Sequence, residues 1–190
     1  MTKIEIIVPD GKSAEWKNGV LTLVDATPKD DRPITERVKS YEDACEILGK
    51  DPLKKFKEGD LAKDEVAYIK LKTICEALNE GWTPKLVSGE IRWYPWYGLY
   101  TKKEIEAKSK SDRKKQRGLL VGGVASYGAH CGFAYLLSGN APSDTIARIG
   151  SRLCLKSEDL SDYCAKQFIE IWFEYLFPDF EIVDPDWSNE

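Results

Sequence analysis

The chain has 190 residues, of which 42% are hydrophobic and 32% charged, and its formal net charge is −4. This length suffices for one well-packed core or two small ones, and the charge argues against a protein that binds polyanions over its whole surface. No stretch approaches the roughly 20 apolar residues that span a bilayer, and the N-terminus does not resemble a signal peptide. We therefore expect the protein to be located in the cytoplasm of the producing cell, or in a virion assembled there, and not to insert into a membrane.

The five cysteines and the single histidine predict reduced thiols and no metal site. The cysteine count is odd, and no C-x-x-C motif occurs, so neither a disulfide framework nor a zinc site is expected. His130 adjoins Cys131, and neighbouring residues of an extended segment point to opposite sides. We therefore predict a protein that is not an enzyme and has no cofactor, with a small enzyme that uses Cys131 or His130 as the catalytic alternative.

Residues 1–100 are predicted to begin with a β-hairpin. Ile4, Ile6 and Val8 fall on one face with Lys3 and Glu5 on the other, and a second apolar run covers Val20 to Val24. Alternation with a period of two is typical of half-buried strands. The two runs therefore predict two strands joined by a long loop.

Capping residues mark two helices after the hairpin. Ser40, followed by Asp43 three positions later, has the pattern of a capping box, and Gly49 is a helix-end signal. Asp64 is predicted to cap a longer helix that Gly81 terminates. Both segments carry apolar residues at helical spacing, so we interpret them as packing elements.

An aromatic segment, Ile91 to Tyr100, follows these helices. Pro95 lies within it, and proline is excluded from central strands because it lacks the N–H that the ladder needs. Buried rings would anchor two halves of the protein, whereas exposed rings would form a stacking platform for bases or sugars. We favour packing, because the burial of large rings dominates core energetics, and keep the platform as the alternative.

The segment 101–117 is predicted to be a basic linker or helix. From Thr101 to Gly118, eight basic residues stand against three acids, which gives 8 − 3 = +5. Such a segment can contact phosphates, although charge runs are usually solvated and the interleaved acids weaken the case for nucleic acid. The candidate basic patch consists of Lys102, Lys103, Arg113, Lys114, Lys115 and Arg117.

Residues 118–190 are predicted to form an irregular β region followed by a long helix. Glycine and other small residues are dense from Gly118 to Leu155, which suits tight turns and irregular backbone. Apolar runs lie at both ends of this range. We interpret them as two buried strands that bound long irregular loops.

The terminal helix is predicted to start after Ser157, its N-cap. A nearly unbroken apolar stripe runs to Leu176, and Pro178 ends the helix. The acidic tail from Asp184 is expected to be loosely held. The whole pattern predicts an α+β fold divided into residues 1–100, 101–117 and 118–190.

Seven short motifs are spread over most of the chain. They are Ile34–Val38, Tyr41–Cys45 with Leu48–Gly49, Ala77–Trp82, Tyr94–Trp96, Gly122–Gly123, Gly150–Leu153 and Ala165–Phe168. Together they resemble a group of short proteins encoded by phages and mobile elements of gut bacteria. The resemblance implies membership of that group and no particular activity.

A second resemblance concerns Gly118 to Leu155, where Gly-Gly, Tyr-Gly and Cys-Gly steps precede an Ile-Gly-Ser-Arg-Leu run. This order resembles the closing half of C-type-lectin-like domains, which variable proteins of diversity-generating retroelements and some phage adhesins use. It implies a rigid core that displays side chains from irregular loops. The acid and amide pattern that binds cations in sugar-binding lectins is absent, so no metal is expected. The implied ligand-binding positions are Tyr127, His130, Tyr135, Ser138, Asn140 and Asp144.

These observations favour a binding protein over an enzyme. The leading hypothesis is a phage-derived or virion-associated protein, structural or receptor-recognising, whose partner is a protein or cell-surface ligand, including other virion proteins. The alternative is an intracellular effector that binds nucleic acid or inhibits a host protein through the basic patch.

Overall fold

The chain forms two compact units, Met1–Arg32 and Pro33–Glu190. Helices and antiparallel sheets are both present, so the predicted mixed α+β class is confirmed. Residues 91–101 share a sheet with residues 131–142, so the division predicted near residue 100 does not coincide with a boundary between the units. This computed structural model describes residues 6–10, 12–25, 30–53, 60–85, 87–122, 131–142 and 151–189.

The first unit is an antiparallel hairpin of two strands, β1 (Lys12–Lys17) and β2 (Val20–Asp25). Asn18–Gly19 forms the turn with φ values of 51° and 78°, the left-handed geometry that Asn-Gly adopts readily in a type I′ turn. The second strand lies where it was predicted. Of the first predicted strand, residues 6–8 do not form a strand, and residues 4 and 5 lie outside the described residues. A two-residue turn replaces the predicted long loop.

The second unit is built around a four-stranded antiparallel sheet. Its strands are β3 (Ile91–Thr101), β4 (Gly118–Gly122), β5 (Cys131–Pro142) and β6 (Glu181–Asp184). Their order in the sheet is β3-β5-β4-β6, which puts Pro95 on an edge strand as its chemistry requires. The strand β5 replaces irregular loops predicted for residues 131–142. Ser151–Leu153 forms a 3-10 turn where a closing strand was expected.

Helices precede and follow the strands of this sheet. They are α1 (Ile34–Arg37), α2 (Tyr41–Ile47), α3 (Lys63–Leu78), α4 (Lys102–Ala107), α5 (Lys110–Gln116), α6 (Glu158–Gln167) and α7 (Ile169–Leu176). The predicted capping box of Ser40 and Asp43 is confirmed. Asp64 lies in the first turn of α3 and is not its N-cap. Ala62 holds that position, and its amide donates to the Glu65 carboxylate at 2.8 Å.

The predicted single terminal helix is interrupted at Phe168, whose φ of −115° and ψ of 30° depart from helical geometry. The Tyr97 hydroxyl donates to the Ala165 carbonyl at 3.2 Å, and the Arg117 guanidinium donates to the Lys166 carbonyl at 2.7 Å. In a continuous helix these carbonyls would accept from amides one turn later. Side chains from outside the helix therefore bind acceptors at the break. The serine predicted as the N-cap of α6 is confirmed.

The two faces of the sheet are covered by different helices. On one face Phe133 of β5 packs against Phe173 of α7, and we call this side the α6–α7 face. On the other, Ala134 packs with Ile105 of α4 and with Trp187, and we call this side the α4–α5 face. Consecutive residues of β5 thus supply the two cores, as the alternation of a strand requires.

The C-terminal tail is held in place, so the prediction of a loose tail is wrong. The strand β6 pairs with β4, and Trp187 is only 1% exposed. Its indole fills the space over Gly118, where an added Cβ would lie 1.0 Å from the indole Nε1. The burial of one large ring outweighs the acidic composition of the tail.

Asn79, which is 5% exposed, ties the end of α3 to residues 154–156. Its Nδ2 donates to the Cys154 carbonyl at 2.9 Å, and its Oδ1 accepts from the Lys156 amide at 3.0 Å. Because each buried polar group left without a partner costs about 1–3 kcal/mol, we expect Asn79→Ala to lower the free energy of unfolding by about 2 kcal/mol or more. Urea denaturation measures this. The control Lys72→Ala, at an exposed position of the same helix, should change it by less than about 0.5 kcal/mol, and equal effects would contradict the prediction.

Candidate recognition surface

A β-bulge in β5 positions the candidate site. Leu137 lies opposite Trp96, and Tyr135 lies opposite Tyr97, the next residue of β3. Leu136, between them, is therefore the extra residue. A bulge sets two residues opposite one and shifts the alternation of side chains by one position. Tyr135 and Ser138 therefore point to the same face, although a regular strand would send residues three apart to opposite faces.

On the α6–α7 face, Tyr135 and Ser138 join a hydrogen-bonded network with α6. The Tyr135 hydroxyl donates to Asp162 Oδ1, and Ser138 Oγ lies 2.7 Å from that oxygen and 2.8 Å from Ser161 Oγ. Lys166 Nζ lies 3.5 Å from Asp162 Oδ2 and 4.5 Å from the centroid of the Tyr135 ring. Two predicted ligand positions are thus engaged internally. Their three partners on α6 were not predicted.

The network changes the pKa values of Tyr135 and Asp162. Burial, followed by the hydrogen bond to Asp162, raises the pKa of Tyr135 to about 12. Burial opposes ionisation of Asp162, but hydrogen bonds from Tyr135 and Ser138 and the charge of Lys166 outweigh it and lower the pKa of that carboxyl. The tyrosine therefore stays neutral and the aspartate charged near neutral pH, which suits positioning better than proton transfer.

The lowered pKa of Asp162 predicts a pH-dependent contribution to stability. The carboxylate stabilises the fold at pH values above its ordinary pKa of 3.8, and this contribution disappears as the pH falls through the lower folded-state pKa. We expect Asp162→Asn to lower the melting temperature near pH 7 and to have a smaller effect in acid. Thermal denaturation of both proteins from about pH 7 to about pH 2.5 measures this. A constant difference across that range would contradict the prediction.

The same bulge exposes an apolar surface on the α4–α5 face. Leu136 and Leu137 are 46% and 48% exposed, and Trp96 opposite them is 41% exposed. The Trp96 indole lies across Gly139, where an added Cβ would come within 2.4 Å of Nε1. We call Trp96, Leu136 and Leu137 the bulge surface. Contiguous exposed apolar side chains of this kind are typical of interaction sites.

The aromatic segment of β3 is divided between the two faces. Tyr97 stacks on Phe133 with 4.6 Å between ring centroids and lies against Trp172 of α7. Burial raises the pKa of the Tyr97 hydroxyl well above its ordinary value. Tyr97 therefore has the packing role predicted for this segment. Its neighbour Trp96 belongs to an exposed surface, because adjacent strand residues point to opposite sides.

Tyr100 connects the bulge surface to the basic helices. Its ring lies over Gly98, since a Cβ added there would come within 2.8 Å of it. Lys108 Nζ in turn lies 4.1 Å from the centroid of the Tyr100 ring. Gly98 is two positions from Trp96, and alternate residues of a strand are about 6.6 Å apart on the same face. This side of β3 therefore leads from Trp96 through Gly98 and Tyr100 to Lys108, which follows α4.

Only part of the candidate basic patch faces solvent. Arg113 is partly buried, and Arg117 donates to a carbonyl at the break between α6 and α7. Two of the three interleaved acids, Glu104 and Asp112, are bound at helix N-caps by Thr101 and Ser109. Both acids are exposed and keep their charge, because their capping partners are neutral, so the surface is positive only because its basic residues outnumber its acids. Four residues of the candidate basic patch are exposed, and we call them the lysine surface: Lys102, Lys103, Lys114 and Lys115.

The remaining predicted site residues have different outcomes. Asn140 is exposed on β5, while Tyr127, His130 and Asp144 lie outside the described residues. All five cysteines are free and buried, as predicted. Burial raises the pKa of Cys131, which disfavours the thiolate that a cysteine nucleophile needs.

Comparison with protein-family models, with curated proteins and with solved structures gives no match for this chain. Within the ranges that the structure describes, no three potential ligand side chains are grouped around a metal position. No helix in those ranges is both long enough and apolar enough to cross a membrane. We therefore infer function from the bulge surface and its surroundings.

Proposed function

We propose that the protein is a binding protein without catalytic activity, which recognises a protein partner through the bulge surface. The observation that carries the proposal is the extra residue of β5. A regular strand would present one residue opposite Trp96, whereas the bulge presents two, Leu136 and Leu137. All three of these side chains are exposed. β-Bulges redirect side chains and often occur next to functional sites.

The chemistry of this surface favours recognition over reaction. Tryptophan is enriched among the residues that contribute most to protein interfaces, and apolar neighbours that exclude water accompany such residues. The polar groups nearest in sequence, Tyr135 and Ser138, already hydrogen bond to α6. The side chains that remain for a partner at the bulge are therefore apolar.

The sequence resemblances extend the proposal to a biological setting. Membership of a phage and mobile-element group would make the partner a virion protein or a protein on a host surface. A C-type-lectin-like architecture for Gly118–Leu155 belongs to the same proposal. Within that range the described strands β4 and β5 form an antiparallel pair, which would serve as a rigid framework for display.

A second candidate function is an effector that binds nucleic acid through the lysine surface. The exposure of its four lysines favours this candidate. It predicts affinity for single-stranded DNA that falls steeply with salt. Lys114→Gln/Lys115→Gln would then weaken binding, while Leu136→Ser/Leu137→Ser would leave it unchanged.

A selection of random displayed peptides on the immobilised protein tests the leading proposal without knowledge of the natural partner. We expect enriched peptides to bind Leu136→Ser/Leu137→Ser at least about tenfold more weakly than the wild type, or about 1.4 kcal/mol. The matched control is Leu176→Ser/Val183→Ser, which alters apolar side chains that are 44% and 50% exposed elsewhere. Peptides that bind both variants equally, or a selection that enriches none, would contradict the proposal.

A further inference from the structure

We infer that the partner of the bulge surface is an acidic protein segment, with carboxylates beside the apolar side chains that cover Leu136 and Leu137. The inference rests on the proposed function and adds the chemistry of the partner. It comes from the lysine surface, which is carried by helices that lie on the same side of the sheet as the bulge surface.

The position of α4 establishes this shared side. Ile105 of α4 is 7% exposed and packs with Ala134 and Trp187 on the α4–α5 face. The bulge begins two residues after Ala134 and presents Leu136 and Leu137 on that face. A partner that covers the leucines and extends along β3 toward Tyr100 would therefore reach α4.

The lysines of α4 and α5 are available to such a partner. The side chain of Lys102 is 80% exposed, and its one ion pair with a described residue is long, 4.0 Å to Glu106. Lys103, Lys114 and Lys115 form no ion pair with any residue that the structure describes. Carboxylates of a partner would meet unpaired ammonium groups here. Such complementarity steers association and rejects cationic competitors.

A protein segment fits both halves of this composite surface better than a nucleic acid does. Phosphates could contact the lysines, but single strands gain most of their further affinity by stacking bases on aromatic rings. At the bulge, two of the three exposed side chains are leucines, and Trp96 is the one ring among them. Apolar and acidic side chains occur together in a protein segment, so we commit to that class.

The experiment uses the strongest peptide from the selection as the probe, together with a version in which every Asp and Glu is replaced by Asn or Gln. We expect the selected peptides to carry a net negative charge and the amide version to bind at least about tenfold more weakly. Lys114→Glu/Lys115→Glu should weaken binding of the acidic peptide by a similar factor. The matched control, Lys63→Glu/Lys72→Glu, makes the same charge change on α3, which packs with α6 and α7 on the other side of the sheet.

The outcomes separate this inference from the proposed function. If binding required Leu136 and Leu137 but the amide version of the peptide bound equally well, the inference of an acidic partner would be wrong. The proposed recognition surface would remain supported. Peptides that depend on neither feature would overturn both. If single-stranded DNA displaced the acidic peptide and bound more tightly, the inferred partner would be a nucleic acid and not a protein segment.

Discussion

Gly118→Ala should lower the free energy of unfolding by about 4 kcal/mol, because the substitution displaces Trp187 from the core. The added Cβ would lie 1.0 Å from the indole Nε1 and 1.8 Å from Cε2. The ring has little room to move, since it is 1% exposed and packs against Ile105 and Ala134. Overpacking alone costs about 1–3 kcal/mol, and loss of a buried tryptophan about 3–5 kcal/mol.

A double-mutant cycle identifies the cause of that loss. Trp187→Ala removes the ring with which the new Cβ collides, so Gly118→Ala should cost much less in that background than in the wild type. Urea denaturation followed by far-ultraviolet circular dichroism measures all four proteins without relying on the tryptophan signal. If the two substitutions were additive, contact between Gly118 and Trp187 would not be the reason for the effect.

Deletion of Leu136 should leave the fold intact and remove most of the binding. Without this residue, Leu137 and Tyr135 would lie opposite Trp96 and Tyr97 in a regular ladder. Tyr135 and the serine that follows Leu137 would then be two positions apart and still share a face. The network with α6 would therefore survive, and the melting temperature should change by less than about 4 °C.

Binding should respond differently from stability. The deletion removes one of two leucines and alters the presentation of the other, so affinity for the selected peptides should fall about 30-fold, or about 2 kcal/mol. Tyr135→Phe serves as the converse control, because it keeps the bulge and removes the hydrogen bond to Asp162. It should lower stability and leave peptide affinity unchanged. Unchanged affinity after the deletion, or an unfolded protein, would contradict the role given to Leu136.

Features caused by neighbouring residues could be predicted from the sequence. The capping box of Ser40 and Asp43 acts within three positions and is confirmed. The edge position of Pro95 follows from its missing N–H. The break at Phe168 could not be predicted in this way, because Tyr97 and Arg117 reach it from distant parts of the chain.

The candidate site shows the same limit. The lectin-like resemblance directed attention to Tyr135 and Ser138 as displayed residues, but Asp162, the partner of both, lies on a helix more than 20 residues later. The sequence carries no local signal for the bulge, because the continuous apolar run Phe133–Leu137 has no period of two that an extra residue could interrupt.

Nuclear magnetic resonance titration with the strongest selected peptide tests the recognition surface most directly. Methyl resonances of Leu136 and Leu137 and the indole N–H of Trp96 report on the three side chains individually. The proposed function predicts that these signals show the largest changes and saturate with the measured affinity. Largest changes on another surface, with these signals unmoved, would contradict it.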